Sequence, residues 1–583
     1  MIRKEVMSVI GDEPIDIGII NGNLINVYSD EIVENTFIGI KGNKIVYVGK
    51  FEKNLADKSI KVIDACNKFI SPGFIETHTH ITQMSMLCDF AEVSLLSGTT
   101  TVITESAEFA NSGGAEAVRQ LINDVSMQPL KLFIVLPPLT PPFPEFETSI
   151  GLNSEEYKEL LKHEKVLGLG EFYWSRILEF KPFYEDLIEY TLSMGKTVHG
   201  HSAGARGKKL NAYVSMGIKS CHEPITVKEV IERVRLGLHV ILREGSVRCD
   251  FSNVYEFKNL LKDYRMISIA TDGATPLLLK EKGTLNEIAR KAVQYGFSPM
   301  DAIKFLTINA AYVFNLHDKT GAVAPGKCAD LVLFDSLNDF KVNSVIVDGV
   351  IKVKEGSISY RKKRYEYPET LKKSVKINRV SEKDFEYFSN NKTERVRCLK
   401  YLEFLLTDME EINLQVSDNN IKAEPESGIL KHLVFERYGS GRVAKGFIKD
   451  LGFRNYTYAG TLNWEANQLV AIGAEESDLA IAVNRIIELQ GGMVLVKKRE
   501  IVEEIPLPVC GVMSELPLDI LAEKEYNFNK LLHSDGCRMA NPFLWLQTLS
   551  FTGLPYYKLT DKGLVNVKEN CIISLFVENA DEK

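Results

Sequence analysis

Between residues 14 and 65 short apolar runs rich in β-branched residues alternate with turn residues: Ile15–Ile20, Asn21-Gly22-Asn23, Leu24–Val27, Phe37–Ile40, Lys41-Gly42-Asn43 and Lys44–Val48. Asn-Gly and Gly-Asn between such runs are hairpin signals, so a small β layer is predicted here. From residue 69 the pattern changes. Apolar runs of strand length recur at Phe74–His80, Thr99–Thr104, Leu132–Leu136, Val166–Glu171, Thr197–His201, Ile218–Ser220, His239–Leu242 and Ser268–Thr271. Helical periods such as Ser154–Lys165, Tyr184–Gly195 and Val227–Leu236 lie between them. After residue 323 short strands return at Ala329–Phe334, Val342–Val347, Lys352-Val353 and Ser357–Tyr360.

Eight strands, mostly separated by helices, over about 200 residues fit a (β/α)8 barrel better than an open doubly wound sheet. The doubly wound alternative wants a glycine-rich phosphate turn after its first strand, and none follows Phe74–His80. The early and late strands together predict one β-sandwich with the barrel inserted in it. The expected layout is a composite sandwich over 1–68 and 322–370, a barrel over 69–321, and an α+β domain over 385–583. Strands Leu433–Arg437, Gly446–Leu451, Leu469–Gly473 and Met493–Val496 and a helix Asp478–Leu489 are expected in that last part. The charged stretch around Lys362, Lys363 and Lys373 is expected to be a solvated linker.

Composition narrows the class. A chain of 583 residues is too long for one core. Its 45% hydrophobic and 25% charged content is that of a soluble globular protein. A net charge of −8 argues against nucleic acid or an anionic membrane as partner. The nine cysteines form no CxxC pair, which suits a reducing compartment and excludes a zinc ribbon. No apolar run approaches the ~20 residues of a membrane span, and Met1–Asp16 has no apolar leader core. A cytoplasmic protein is expected.

The candidate chemistry begins at His78-Thr79-His80, because strand residues two apart share a face. Two imidazoles there can ligate a metal. Glu171, His201, His222 and Asp272 also fall at or just after strand C-termini, the end where barrel active sites lie. Four histidines and two carboxylates suffice for two divalent ions, with Glu171 placed to bridge them. Such a pair makes a nucleophile of water at neutral pH. Asp272 could accept that water's proton and return it to a leaving group. His199 shares a face with His201, and spacing alone does not separate them. His163 and His239 read as structural, and His317, His432 and His533 as surface or packing residues.

These residues name a family. Pro72-Gly73-Phe74-Ile75-Glu76-Thr77-His78-Thr79-His80 resembles the PGxIDxHxH signature of the amidohydrolase superfamily, and within it the bacterial adenine deaminases match over nearly the whole chain. Val198–Gly204 with Leu210–Tyr213 resembles their GHAPG…LNAY segment, which favours His201 as the ligand; Gly168–Glu171 resembles GLAE, Ser220–Glu223 resembles SDHE, and Leu242–Ser246 resembles LREGS. In the last domain Gly441–Phe447, Ala482–Glu488, Pro506–Ser514 and Lys558–Leu564 are similar to GRxxxGFV, AVNRLIE, PLPIAGLMS and KLTDRGL. The resemblance implies a metal-dependent aminohydrolase acting on adenine, a purine-like small molecule. It implies His78, His80, Glu171, His201, His222 and Asp272 as ligands, with Asp272, Glu171 and His222 catalytic and Glu108 and Glu223 at the substrate. Two Mn2+ ions are implied, with Fe2+ or Zn2+ as alternatives, in a homo-oligomer.

The departures fall around that set. IESS becomes Ile81-Thr82-Gln83-Met84-Ser85, DPHE becomes Glu105-Ser106-Ala107-Glu108, TDD becomes Thr271-Asp272-Gly273, and Cys221 replaces the aspartate of SDHE. HDSHN becomes Asn463-Trp464-Glu465-Ala466-Asn467. These changes leave two other readings open: a hydrolase of another heterocycle or cyclic amide, and an inactive scaffold.

Overall fold

Leu331–Phe334 runs antiparallel to Phe69–Pro72, with Leu331 opposite Pro72 and Phe334 opposite Phe69. That pairing joins the two ends of the chain's first half into one nine-stranded sheet. Its order is Ser357–Ile358, Val350–Lys354, Val342–Val347, Leu331–Phe334, Phe69–Pro72, Ile15–Asn26, Glu31–Lys41 and Lys44–Lys50, and Ser59–Asp64 adds on Ile15–Asn26. The sheet wraps an apolar cluster that includes Ile19, Leu24, Ile40, Ile70, Leu331 and Ile346. In this computed structural model residues 2–403 and 406–577 are described.

Two expectations shift here. The sequence 21–23 is not a turn: Ile15–Asn26 is one strand with a bulge, its register slipping on both sides of Gly22. Asn21 takes the left-handed conformation (φ 55°), and a Cβ on Gly22 would lie 2.2 Å from Ile70 Cδ1. The Asn-Gly pair thus serves a bulge and a close packing contact. The barrel starts at Phe74, not at the expected residue 69, because Phe69–Pro72 belongs to the composite sheet.

The barrel has eight parallel strands, each paired with the next: Phe74–Thr79, Thr99–Thr104, Lys131–Leu136, Val166–Tyr173, Thr197–His201, Ile218–Cys221, His239–Arg243 and Ile267–Ala270. Thr99–Thr104 is buried at every position. A continuous β-branched run suits a parallel strand covered on both faces. The ring closes where Thr79 bridges Asp272 and the Asp272 amide donates to His78 O at 3.0 Å. Below, Ile75, Ile103, Val135 and Ile241 pack against Val313 and Phe314 of the segment that follows the last strand.

The C-terminal domain is built on a second nine-stranded sheet, with Ile429–Phe435 and Leu469–Gly473 in its middle and the helix Glu476–Leu489 packed on it. Its remaining apolar side chains merge with the barrel's core, where Met84, Leu371, Val434, Val512 and Met513 belong to one cluster. Backbone bonds reinforce the contact, Met84 N to Val512 O at 2.9 Å and Ser514 N to Met84 O at 2.7 Å. No described helix is long and apolar enough to cross a membrane.

Arg437 ties the parts together. Fully buried, it donates to Ser112 Oγ of the barrel (2.9 Å), Ser374 Oγ of the connector (2.9 Å), and Cys510 O (2.8 Å) and Asn467 O of its own domain. Gly511 (φ 70°) makes room, since a Cβ there would lie 2.1 Å from Arg437 Nη1. The connector is not solvated along its length. Tyr367, Leu371 and Val375 are buried, and the Tyr367 hydroxyl meets Asp124 at 2.8 Å. The lysines face outward while the aromatic and aliphatic residues between them dock.

Replacing Arg437 by Met would strand these acceptors. It should lower stability by about 2–4 kcal/mol, read from urea unfolding of the full chain. Glu147, buried beside the same interface, gives a pH test. Its Oε1 accepts from Thr552, and burial raises its carboxyl from 4.5 to about 8. The folded state holds that proton more tightly, so stability should fall as pH rises from about 4.5 to about 8. Glu147→Gln should remove part of that fall, raising the melting temperature at pH 8.5 more than at pH 5.

Candidate active site

The first strand ends with both histidine rings turned to one place, their centroids 5.4 Å apart and edge to face. His78 Nε2 lies 3.0 Å from Asp272 Oδ1, and His78 Nδ1 lies 3.4 Å from Glu105 Oε1. His80 Nδ1 lies 2.9 Å from Glu108 Oε1. The fourth strand brings in Glu171, whose Oε1 is 3.0 Å from His201 Nε2, 3.4 Å from His222 Nε2, and 3.5 Å from the Nε2 atoms of both His78 and His80. Gly170 before it is required by a close approach: a Cβ there would lie 2.0 Å from Glu105 Oε2.

The six residues expected as ligands therefore converge. They form two groups whose donor atoms lie within 4.8 Å of one another, His78-His80-Glu171-Asp272 and Glu171-His201-His222. Glu171 belongs to both. His199 is excluded from this set. Its Nδ1 meets Ser220 Oγ and its Nε2 meets Thr197 Oγ1, each at 2.7 Å, and its ring packs on Phe314. His239 is likewise held by Ser268, 3.1 Å away.

The donor set fits a divalent cation. His201 Nε2 and His222 Nε2 face each other at 2.8 Å with Glu171 between them, although at most one of two neutral rings can donate there. The buried carboxylates also call for positive charge. Burial pulls His78 and His201 down, but Asp272 with Glu105, and Glu223 with Glu171, lift them to about 9 and about 10. Burial works against Glu171 and Asp272 too, yet the surrounding histidines, and Arg243 for Asp272, hold both carboxyls below the usual range. A metal ion supplies the same charge at the same atoms.

A cavity of about 250 Å³ opens above the cluster, at the small end of ligand sites, which span roughly 300–1,000 Å³. Glu108 borders it but is already engaged: Oε1 also accepts from Gln83 Nε2 at 2.7 Å, and Oε2 from Thr82 Oγ1 at 2.6 Å. Thr82 and Gln83, which replace family residues, thus orient the carboxylate that orients His80. Glu223 borders the cavity with one oxygen on Ala203 N at 2.7 Å. Cys221 accepts from Ser202 Oγ at 2.8 Å.

Sequence reasoning missed several lining residues. Arg243, at the end of the seventh strand, lies 3.7 Å from Asp272 Oδ2 and 2.7 Å from Asp250. Its position at a strand C-terminus was a usable signal. Tyr173 and Phe551 line the cavity as well, and so do Trp464 and Glu465, which the sequence marked only as departures from the family's HDSHN stretch; Trp464, Glu465 and Phe551 come from the C-terminal domain.

The amidohydrolase family profile matches residues 69–352, and the adenine deaminase C-terminal domain profile matches 405–571. A curated adenine deaminase from Clostridium botulinum (strain Loch Maree / Type A3) is 34% identical over 587 residues, covering 99% of this chain and 98% of that one. One from Staphylothermus marinus is 33% identical, covering 98% and 97%. The chain belongs to the adenine deaminase family. Among solved structures, phenylurea hydrolase B covers 60% of this chain at 17% identity, with a TM-score of 0.47. The two family profiles between them match both parts of the chain.

The two neighbouring histidines offer a direct test. His201→Asn should lose most bound divalent metal, measured by elemental analysis after loading with manganese. His199→Asn should keep the metal and instead cost about 1–3 kcal/mol of stability through unsatisfied Thr197 and Ser220.

Proposed function

We propose that this protein is a metal-dependent adenine deaminase, converting adenine and water to hypoxanthine and ammonia. The carrying observation is the pair of ligand groups sharing Glu171 at the floor of the cavity, in a chain that matches curated adenine deaminases over 99% of its length. His78, His80, Glu171 and Asp272 would hold one divalent ion, and Glu171, His201 and His222 the other, with manganese or iron(II) suiting the mixed nitrogen and oxygen donors. A divalent pair supplies the Lewis acidity that makes water nucleophilic near neutral pH.

The chain's own groups do the rest. Asp272 is fixed three ways: by its left-handed backbone (φ 63°), by its amide on His78 O, and by Oδ1 on His78. Oδ2, which faces Arg243 at 3.7 Å, takes the proton of the attacking water and delivers it to the departing amino nitrogen. Glu171 and His222 hold the reacting centre in register. Glu108 fixes the ring of His80, and Glu223 offers an acceptor to the base. Trp464, Phe551 and Leu554 exclude bulk water from the cavity. A glutamate on the fourth strand counts against the cyclic-amide branch, whose bridge is a carboxylated lysine. Changed residues at Thr82, Gln83, Trp464 and Glu465 favour, as a second reading, a related 6-amino heterocycle. The cysteines of the described chain are all free, in keeping with a cytoplasmic purine-salvage role, and the family resemblance supports a homo-oligomer.

Manganese-loaded protein should release ammonia and hypoxanthine from adenine, with Asp272→Asn slower by at least ~100-fold. Ammonia from another aminopurine but not adenine would select the second reading. No release from any member of a purine and pyrimidine panel, with full metal occupancy, would sink both.

A further inference from the structure

The C-terminal domain reaches the active-site cavity through two short segments, one around Phe551–Leu554 and the other around Trp464 and Glu465. Asn463–Asn467 connects the strands Thr457–Gly460 and Leu469–Gly473, and its backbone is pinned by its own amides. Asn467 N donates to Asn463 O at 2.9 Å. Asn463 Nδ2 donates to Gly460 O and Gln468 O at 3.0 and 2.6 Å, and Asn467 Nδ2 to Glu465 O at 3.0 Å. Glu465 sits at φ 67° within this turn and lines the cavity together with Trp464.

Glu465 Oε1 accepts the hydroxyl of Tyr173. Tyr173 lies two residues past Glu171 on the fourth strand, and its ring meets His201 edge-on at 4.6 Å. Glu465 is therefore one side chain removed from the ligand cluster and outside both ligand groups. Among the described residues its second oxygen has no protein partner. The two arginines that border the cavity are occupied elsewhere, Arg243 on Asp250 at 2.7 Å and Arg248 on Asp250 at 3.0 Å. Glu465 is half-buried at the cavity wall, beside Glu171, Asp272 and Glu223, so its second oxygen is open to a group that enters the cavity.

We propose that Glu465 is a specificity-determining residue, gripping the base through a ring N–H and the lone-pair nitrogen beside it, so that bases alkylated on that N–H are refused. Burial and the nearby Glu171 hold its carboxyl well above the usual range. The neutral acid then offers an O–H donor and a C=O acceptor side by side, the complement of such a ring edge. The inference rests on the adenine deaminase reading for the choice of base. It assigns the recognition to the domain that carries no metal ligand.

The test is binding of two bases that are not turned over, hypoxanthine and 9-methylhypoxanthine, to metal-loaded full-length protein by calorimetry. Wild type should prefer hypoxanthine by roughly ten- to a hundredfold. Glu465→Gln, which presents the same donor and acceptor, should keep that preference. Glu465→Ala should bind hypoxanthine at least about tenfold more weakly and lose the preference, with bound metal unchanged in all three proteins. Equal preference in wild type and Glu465→Ala overturns the inference, as does loss of metal from Glu465→Ala or absence of any preference in wild type. Failure of adenine turnover in a wild type that still discriminates the two bases would instead remove the reading of the reaction and leave Glu465 in place.

Discussion

Four imidazoles crowd round one carboxylate oxygen. Glu171 Oε1 lies within 3.5 Å of His78, His80, His201 and His222, and little else in the barrel can move without disturbing it. Three strands and the residue just past the sixth must end at the same height for those contacts to coexist. Gly170 must lack a side chain so that Glu105 can sit beneath. The barrel must also close, because Asp272, which completes the set, is the residue that bridges the eighth strand to the first. Barrel closure and site assembly are one event.

Much of this was legible in the residues, for a reason of geometry. A strand repeats every two residues, so His78-Thr79-His80 announces its own convergence, and polar groups at apolar-run C-termini mark the mouth of a barrel. The choice between His199 and His201 was not legible from spacing. It depends on Ser220 and Thr197, small hydroxyls that satisfy one ring and leave the other for the site. Asn21-Gly22 misled because a bulge and a hairpin ask for the same residues; the difference is Ile70, packed where a side chain would stand. The linker misled because charge density along a segment does not show which side chains turn inward. Glu108, expected at the substrate, borders the cavity with its oxygens on His80, Gln83 and Thr82.

The least legible part is the contribution of the C-terminal domain. Glu465 meets Tyr173 across 292 residues of chain, and Trp464, beside it, and Phe551, farther along, reach the same cavity; no local periodicity encodes such a meeting. What makes it dependable is a docking surface with the character of a core. Its apolar cluster is continuous with the barrel's, and the buried guanidinium of Arg437 is satisfied by hydroxyls and carbonyls from four segments, with no carboxylate among the described residues within salt-bridge reach. Neutral partners avoid burying a second charge but require every segment to be in place.

The composite sheet has a consequence in time. Its N-terminal strands emerge from the ribosome early, and Phe69–Pro72 can pair with Ile15–Asn26 at once, yet it gains its second neighbour only when Leu331–Phe334 is made, after about 260 further residues. At roughly 5–20 residues per second that interval is on the order of 10–50 s. Throughout it, an unpaired β-edge flanked by Phe69 and Ile70 stands open to other chains. The inserted barrel thus sets a waiting period in synthesis, and a nascent chain is most exposed to misassociation at the very seam that later anchors the barrel's first strand.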